Sequence, residues 1–350
     1  MRSMLSLVLA GVVAVLLGSL KPAFATGLLV ESTFEAHPLL TGAHRQTIWP
    51  SFSGKLSAVE YTRQRLNTPD GDFIDLDWFP GNDGAPDLAV LVHGLGGSAQ
   101  SNYIKRVGRV LVENGYRTVA INLRGASGPN RTTRVYHSGK TDDLDLVLRE
   151  LAESYVPTRL VVAGFSLGGN VLLKWLGENP GQQIVTAAVA VSVPYDLSAV
   201  ADRMDQGFSS VYRDFILKNL RRYLRSREAD LESVIDLQAG YAAETFRDYD
   251  DVVTAPLSGF DSAADYYAKS SSNQYLPQID TPTLLIHSRD DPFMTPEIIP
   301  APSDLSSSTT LEISDRGGHV GFVERGTGLA TRFYLPTRIA GYFDSLENQQ

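Results

Sequence analysis

Residues 160–170 read LVVAGFSLGGN, a short apolar run that ends in Gly-Phe-Ser and leads directly into a helical pattern. A strand, a sharp turn and a helix in this order make a G-x-S-x-G sequence a nucleophile elbow. The tight turn forces Ser166 towards a positive φ, and Gly164 and Gly168 let the strand and helix backbones pass closely. Since its hydroxyl then stands at a helix N-terminus, where negative charge is stabilised, Ser166 is predicted to be a catalytic nucleophile.

The chain contains eight segments of strand character, including the strand of the elbow, and helical patterns lie between most of them. The predicted strands are 60–67, 73–78, 88–92, 118–122, 160–164, 184–193, 283–287 and 309–314. Continuous apolar runs are typical of strands buried on both faces. The pattern predicts an α/β fold with a mostly parallel eight-stranded sheet covered by helices on both faces.

A block without convincing strands interrupts the alternation after the sixth predicted strand. It predicts a helical cap at 195–275, inserted into a core that comprises 56–194 and 276–350. Residues 26–55 form a polar and aromatic N-terminal arm in which no chemistry is evident. The cap is expected to set the specificity for the acyl group.

The first 25 residues have the layout of a targeting segment. A basic residue, an apolar run at 4–20 and the sequence KPAFA are typical of a secretory signal peptide cleaved after Ala25. The run also reaches the lower length limit for a membrane span. We therefore expect an exported protein, periplasmic or secreted, or one anchored to the membrane by this segment; a misassigned start would instead make it cytoplasmic.

Composition excludes several classes of function. The net charge of −9 argues against a nucleic-acid partner, which needs a basic face. The absence of cysteine excludes disulfides, thiolate zinc sites and a cysteine nucleophile. With no H-E-x-x-H sequence either, we expect neither a metal nor a cofactor.

A serine hydroxyl needs a base, and the base needs an orienting acid; in this fold the chain order is serine, acid, histidine. Two histidines follow Ser166. His287 lies inside a predicted strand, whereas His319 lies in a glycine-flanked loop after the last strand and is the preferred base. Asp290 and Asp291 both follow the penultimate strand, and Asp291 is favoured because Pro292 holds it extended.

Two backbone amides complete the predicted site. In this fold the residue after the nucleophile, here Leu167, supplies one N–H to the oxyanion, and the loop after the third strand supplies another. That loop reads His93-Gly94-Leu95-Gly96-Gly97, which suggests the Leu95 amide. A rival interpretation takes residues 94–99 as a dinucleotide-binding G-x-G-x-x-A sequence with Arg124 at a 2′-phosphate, but it leaves the elbow and His319 unexplained.

Two further features are ambiguous. Residues 136–140, YHSGK, either line the pocket or form a structural loop. The basic residues of the cap are either a solvated helix face or a contact with anionic lipid headgroups at a membrane surface. These residues are Lys218, Arg221, Arg222, Arg225 and Arg227.

The chain resembles the α/β-hydrolase superfamily and, within it, the YheT-like branch, which includes lipase-type abhydrolase-domain proteins. The resemblance rests on motifs in one order: HPLLTGAHRQTIWPSF, HGLGGS, NLRGASGPNRTTRVYHSGKTDD, GFSLGGN, TFRDYDDVVTAPLSGFDSAADYY, SRDDPFM and GGHVGF. It implies a Ser–Asp–His triad, which falls on Ser166, Asp291 and His319. It also implies carboxylic-ester substrates, with acylglycerols or phospholipids in some animal members.

The sequence therefore predicts a serine esterase or lipase-like hydrolase that acts on a small-molecule or lipid ester through an acyl-enzyme. Two alternatives share the fold. An acyltransferase would resolve the same acyl-enzyme with an alcohol instead of water. A binding module would keep the fold without catalysis, since fold alone does not determine function.

Overall fold

A computed structural model describes residues 26–53 and 58–347 of the chain. Its β-strands follow the predicted order, with additions at both ends of the chain. The strands are β1 (Leu28–Glu31), β2 (Thr62–Asn67), β3 (Phe73–Trp78), β4 (Asp87–Val92), β5 (Arg117–Asn122), β6 (Arg159–Phe165), β7 (Ala187–Val191), β8 (Thr283–Ser288), β9 (Thr309–Ser314), β10 (Val323–Arg325) and β11 (Thr331–Phe333).

Helices connect most of these strands. The α-helices are α1 (Ala43–Phe52), α2 (Asn102–Glu113), α3 (Thr141–Tyr155), α4 (Leu167–Glu178), α5 (Leu197–Met204), α6 (Ser209–Ser226), α7 (Glu228–Leu231), α8 (Leu237–Ala242), α9 (Phe246–Tyr249), α10 (Ala255–Ser258), α11 (Ala263–Ser270) and α12 (Tyr334–Glu347). A π-helical turn covers Asp250–Thr254, and 3₁₀ turns cover Ser272–Gln278, Pro296–Ile298 and Pro302–Asp304.

Within the described part of the chain, nine strands form the main sheet, in the order β1-β9-β8-β7-β6-β4-β5-β3-β2. All neighbouring strands from β1 to β5 in this order are parallel, and β3 and β2 add an antiparallel edge. Because β4, β6, β8 and β9 run in one direction, the loops that follow them emerge at the same edge. This edge is where open α/β sheets bind ligands.

The two faces of the sheet bury two separate layers of apolar side chains. In β4, Leu88, Val90 and Val92 pack into one layer, whereas Ala89 and Leu91 pack into the other. Successive side chains of a strand point to opposite faces, so this division shows that helices cover both sides of β4. The continuous apolar runs in the sequence have this cause.

The segment between β7 and β8, from α5 to the 3₁₀ turn at Ser272–Gln278, is helical throughout its regular elements, and we call it the helical insertion. Part of it packs around a core of its own. That core contains Leu217, Leu224, Leu231, Leu237, Ala243, Tyr249, Val253 and Leu257.

The predicted count of eight strands is wrong, because β1 pairs in parallel with β9 and adds a ninth. This strand has four residues, and most of them are exposed. So short an edge strand carries no apolar alternation that a sequence pattern could reveal. The helix α1 and the hairpin of β10 and β11 were not predicted from the sequence either.

The membrane anchor is a prediction that has to be withdrawn. Within residues 26–53 and 58–347, no helix is both long and apolar enough to cross a bilayer. The apolar segment at 1–25, on which the expectation of an exported or anchored protein depended, lies outside the described residues. The structure therefore gives no support to an N-terminal apolar anchor.

Candidate active site

Ser166 lies at the turn between β6 and α4, with a φ of 51°. At this turn the backbone of α4 lies very close to the end of β4, which is possible because residue 168 is a glycine. A Cβ atom added to Gly168 would lie 2.5 Å from the carbonyl oxygens of both Val92 and His93. Any larger residue at position 168 would therefore push β4 away from α4, and the serine hydroxyl would lose its position above the sheet edge.

His319 and Asp291 meet Ser166 at this edge, although the three residues are far apart in the chain. The His319 Nε2 atom lies 3.0 Å from Ser166 Oγ, and its Nδ1 atom lies 2.8 Å from Asp291 Oδ2. Asp291 is buried, and its Oδ1 atom accepts a hydrogen bond of 2.9 Å from the Phe293 amide. The arrangement can pass a proton from the hydroxyl to an imidazole that a carboxylate orients.

The neighbouring carboxylate, Asp290, makes a different contact. Its Oδ1 atom accepts a hydrogen bond of 2.9 Å from the Gly318 amide, in the loop that carries His319. Burial raises the pKa of the Asp290 carboxyl above its ordinary value. Asp291 therefore contacts the imidazole of His319, while Asp290 holds the backbone at Gly318, one residue before His319.

Three contacts that the sequence did not predict hold the His319 loop. The ring of Phe293 stacks on the imidazole, with centroids 4.0 Å apart and planes 9° from parallel. The His319 amide donates to Thr47 Oγ1 at 2.9 Å, and the Val320 amide donates to Ser192 Oγ at 3.1 Å. Thr47 belongs to α1, so the N-terminal arm supports the site; its only sequence signal is the shared motif at 37–52.

The loop after β4 is anchored on both sides of Leu95. The Gly94 amide donates to the Tyr103 hydroxyl at 2.9 Å, and the Gly96 amide donates to the Tyr136 hydroxyl at 2.8 Å. Among the described residues, no acceptor is found for the Leu95 amide between them. The loop lies against the nucleophile, since a Cβ atom on Gly94 would lie 3.1 Å from Ser166 Cβ.

The buried His93 side chain connects this loop to the end of β5. The Leu123 amide donates to His93 Nε2 at 3.1 Å, so the ring proton is on Nδ1, which donates to the Gly94 carbonyl at 2.8 Å. Burial lowers the pKa of His93 to about 4, and the ring is neutral at pH 7. Leu167 opens α4, and the first amides of a helix have no intrahelical acceptor. The Leu95 and Leu167 amides are thus both available beside Ser166.

The residues of the two rejected alternatives, Arg124 and His287, are buried away from solvent. Arg124, the proposed 2′-phosphate contact, is buried, and its guanidinium donates to Asp143 at 2.7 Å and to Asp70 at 2.9 Å. His287 is buried in β8, and within the described residues neither ring nitrogen has a hydrogen-bond partner. Burial lowers the pKa of His287 to about 4. Neither residue approaches Ser166 as His319 does.

The five basic residues of the predicted cluster separate into two groups. Arg227 is buried, and it donates to Asn130 Oδ1 at 3.0 Å and to the Thr132 carbonyl at 2.8 Å. Arg221 donates to the Ala243 carbonyl. The side chains of the other three residues are exposed: Lys218, Arg222 and Arg225. Only part of the predicted basic cluster therefore faces solvent.

Comparison with known proteins gives a consistent result. Residues 89–326 match the family model described as the alpha/beta hydrolase fold. The chain is 36% identical over 305 residues to YheT of Escherichia coli K12, named a presumed esterase, covering 85% of this chain and 89% of that protein. It is 28% identical over 309 residues to the mouse phospholipase ABHD3, covering 82% and 75%.

Among solved structures, the esterase Pf2001 of Pyrococcus furiosus superposes with a TM-score of 0.54. The superposition covers 93% of this chain and 98% of that one, at 17% sequence identity. At this identity the likeness concerns the fold alone.

Proposed function

Because the chain belongs to the α/β-hydrolase family and to its YheT-like branch, we propose that it hydrolyses carboxylic esters with Ser166 as its nucleophile. The similarity to these relatives shows that the protein is a hydrolase of the esterase and lipase type. The proposal that Ser166 is the nucleophile is supported by the line of contacts from Ser166 Oγ through the imidazole of His319 to Asp291, at 3.0 and 2.8 Å.

The reaction begins with attack of Ser166 Oγ on the ester carbonyl carbon, while His319 Nε2 takes the hydroxyl proton. Asp291 stabilises the imidazolium and holds its Nδ1–H. The negative charge that forms on the carbonyl oxygen is stabilised by the Leu95 and Leu167 amides and by the N-terminus of α4. His319 then returns the proton to the departing alkoxide, and an alcohol leaves.

Water completes the cycle. It attacks the acyl group on Ser166 as His319 takes one of its protons, and collapse of the second tetrahedral intermediate releases the carboxylic acid and restores the serine hydroxyl. The helical insertion lies between β7 and β8, directly before the strand that leads to Asp291. We assign to it the pocket that selects the acyl chain.

Replacement of the serine is the direct test. Ser166→Ala should reduce turnover of a p-nitrophenyl ester by up to ~10⁶-fold, as in other serine hydrolases, and should abolish labelling by a fluorophosphonate probe. Ser98→Ala, which removes a hydroxyl from the neighbouring loop, serves as the control and should still be labelled. An alanine variant at position 166 that remains as active as the unmodified protein would exclude this nucleophile.

A further inference from the structure

An exposed apolar surface extends across α1 and the start of α6, and we call it the apolar patch. Its large side chains are between 42% and 79% exposed: Leu39, Trp49, Phe52, Phe208, Val211 and Phe215. Single exposed apolar residues are common on soluble proteins, but a group of six on two helices and the residues just before them is typical of an interaction surface.

The two parts of the patch are in contact. His44 of α1 packs against Phe208, with ring centroids 4.5 Å apart, and its Nδ1 atom lies 3.0 Å from the Tyr212 hydroxyl of α6. Beside His44, the residues of α1 and the segment before it form a shallow groove. Its apolar lining comprises Leu39, Leu40, Ile48, Trp49 and Phe52. His44, which also lines this groove, therefore joins the α1 part of the patch to the α6 part.

This surface borders the active site. The ring of Tyr212 lies 5.0 Å from that of Phe293, and Phe293 stacks directly on the imidazole of His319. On the other side, Thr47 of α1 accepts the hydrogen bond from the His319 amide. Tyr212, Phe293 and Thr47 thus connect the patch to His319, the proposed base.

The basic residues of α6 indicate which kind of partner binds the apolar patch. Val211, Phe215, Lys218, Arg222 and Arg225 lie at intervals of four, three, four and three residues along α6, so they share one helix face. This exposed face carries Val211 and Phe215 in its first half, where the one acidic residue, Asp214, is paired with Arg213 at 2.8 Å, and it is cationic in its second half, on a protein with a net charge of −9. A lipid surface has the matching order, with acyl chains beneath phosphate-bearing headgroups.

We propose that the apolar patch and the cationic end of α6 dock the protein on a phospholipid surface that contains anionic headgroups. The aromatic side chains enter the acyl region, and Lys218, Arg222 and Arg225 contact the phosphates. The delivery of lipid esters from that surface to Ser166 rests on the proposed function, whereas docking itself does not.

The test uses the full chain with Ser166→Ala, so that binding is measured without hydrolysis and does not depend on the proposed reaction. The probe is a vesicle of phosphatidylcholine with about 30% phosphatidylglycerol, and binding is followed by co-sedimentation. Adding Phe52→Ser and Phe215→Ser should lower the partition coefficient at least about tenfold. Residues 1–25 are common to all variants, so they contribute equally to each.

Val156→Asn is the matched control for this pair. Val156 is 79% exposed, as is Phe52, but it lies between α3 and β6, at the opposite end of the strands from Ser166. Its φ of 44° is a conformation that asparagine tolerates well, so the exchange keeps the fold. This control should bind as the parent does, and circular dichroism should show that all variants melt at similar temperatures.

The cationic part is tested separately. Lys218→Gln with Arg222→Gln should lower binding to the anionic vesicles several-fold and leave binding to pure phosphatidylcholine unchanged. Arg149→Gln with Lys269→Gln gives the same net charge from residues outside the patch, and it should have little effect. If both pairs reduce binding equally, the contact with anionic headgroups is refuted.

Two outcomes would overturn docking as a whole. The first is unchanged vesicle binding when Phe52 and Phe215 are replaced. The second is a change of oligomeric state in the same variant, seen by analytical ultracentrifugation without any loss of vesicle binding, which would assign the patch to a contact between two copies of the chain.

Discussion

Ser166 has a backbone conformation that costs free energy, and the surrounding contacts maintain it. A non-glycine residue at a strained positive φ costs about 1–3 kcal/mol. The Ser166 amide donates to the Val191 carbonyl at 2.8 Å, and its carbonyl accepts from the Asn170 amide at 3.0 Å. The buried Asn170 side chain in turn donates to the Ser138 and Ser270 carbonyls, at 2.9 and 2.7 Å. These bonds fix the turn between β6 and α4.

At the residue scale, the two adjacent carboxylates should differ sharply in their effect on catalysis. Asp291→Asn should lower kcat by about 10³–10⁴-fold, because the amide cannot hold the imidazole in the required tautomer. Asp290→Asn should lower kcat by no more than about tenfold, since the Asp290 side chain bonds to the loop backbone and not to the imidazole. Steady-state kinetics on a soluble ester measure both effects, and the reverse order would assign the acid to Asp290.

Tyr103 should affect turnover without touching the substrate. Tyr103→Phe leaves the Gly94 amide without its acceptor, which loosens the loop that presents the Leu95 amide. Loss of a whole oxyanion donor costs ~10²–10³-fold in rate, so displacement of one should cost on the order of tenfold in kcat with little change in KM. Tyr275→Phe is the control, because the Tyr275 hydroxyl bonds to the Lys269 carbonyl within the helical insertion. A raised KM with an unchanged kcat would contradict this role for Tyr103.

At the element scale, the loop between β5 and α3 joins the turn of β2 and β3 to the helical insertion. Asn130 is the connecting residue: its Nδ2 atom donates to Asp72 at 3.0 Å, and its Oδ1 atom accepts from Arg227 at 3.0 Å. Asp72 also accepts hydrogen bonds from the Phe73 and Arg131 amides, both at 2.9 Å. Hydrogen bonds thus connect the buried Asp72 carboxylate, through Asn130, to Arg227 at the end of α6.

This carboxylate should make stability depend on pH. Burial alone would raise the pKa of Asp72, but the hydrogen bonds from Arg131, Thr132, Asn130 and Phe73 outweigh it and lower the pKa to about 2. Because the pKa is lower in the folded state than in the unfolded one, the stabilisation is complete above pH 4 and is lost as the pH falls towards 2.

Asp72→Asn should consequently flatten the acid side of the stability curve. Urea midpoints measured from pH 6 to pH 2 should fall less steeply for this variant than for the unmodified protein. Asp83→Asn, an exposed carboxylate between β3 and β4, should leave the slope unchanged. Parallel curves for Asp72→Asn and the unmodified protein would show that Asp72 is not responsible.

At the scale of the whole molecule, the sheet and the helical insertion bury separate sets of apolar side chains. The insertion core is held by few large residues, and Leu224 is fully buried within it. Leu224→Ala should lower the free energy of unfolding by about 2–5 kcal/mol, because it leaves a cavity that the short helices cannot fill.

The exposed Val234 of the same insertion provides the comparison. Val234→Ala should change the free energy of unfolding by no more than about 0.5 kcal/mol. Chemical denaturation followed by circular dichroism measures both values. A loss below about 1 kcal/mol for Leu224→Ala would mean that the insertion core adds little to the stability of the molecule.

The fold was predictable from the sequence to the extent that its signals are local. The eight predicted strands are all present, since each is a run of apolar or alternating residues that forms its element largely irrespective of distant contacts. The strand β1 was missed because its side chains are mostly exposed and its pairing partner, β9, lies in a distant part of the chain. The helix α1 was missed because no apolar face marks it: its buried residues are Gln46 and Pro50. Long-range pairing leaves no periodic trace in a short segment.

The sequence by itself determined the turn at Ser166, the alternation of strands and helices, and the glycine-flanked loop of His319, because backbone sterics and apolar periodicity act over a few residues. Only the tertiary structure decided that Asp291 and not Asp290 contacts the imidazole, that Thr47 of α1 supports it, and that Arg227 is buried while Lys218 is exposed. These outcomes depend on contacts between distant segments of the chain, and such contacts exist only once the parallel strands have brought their loops to one edge.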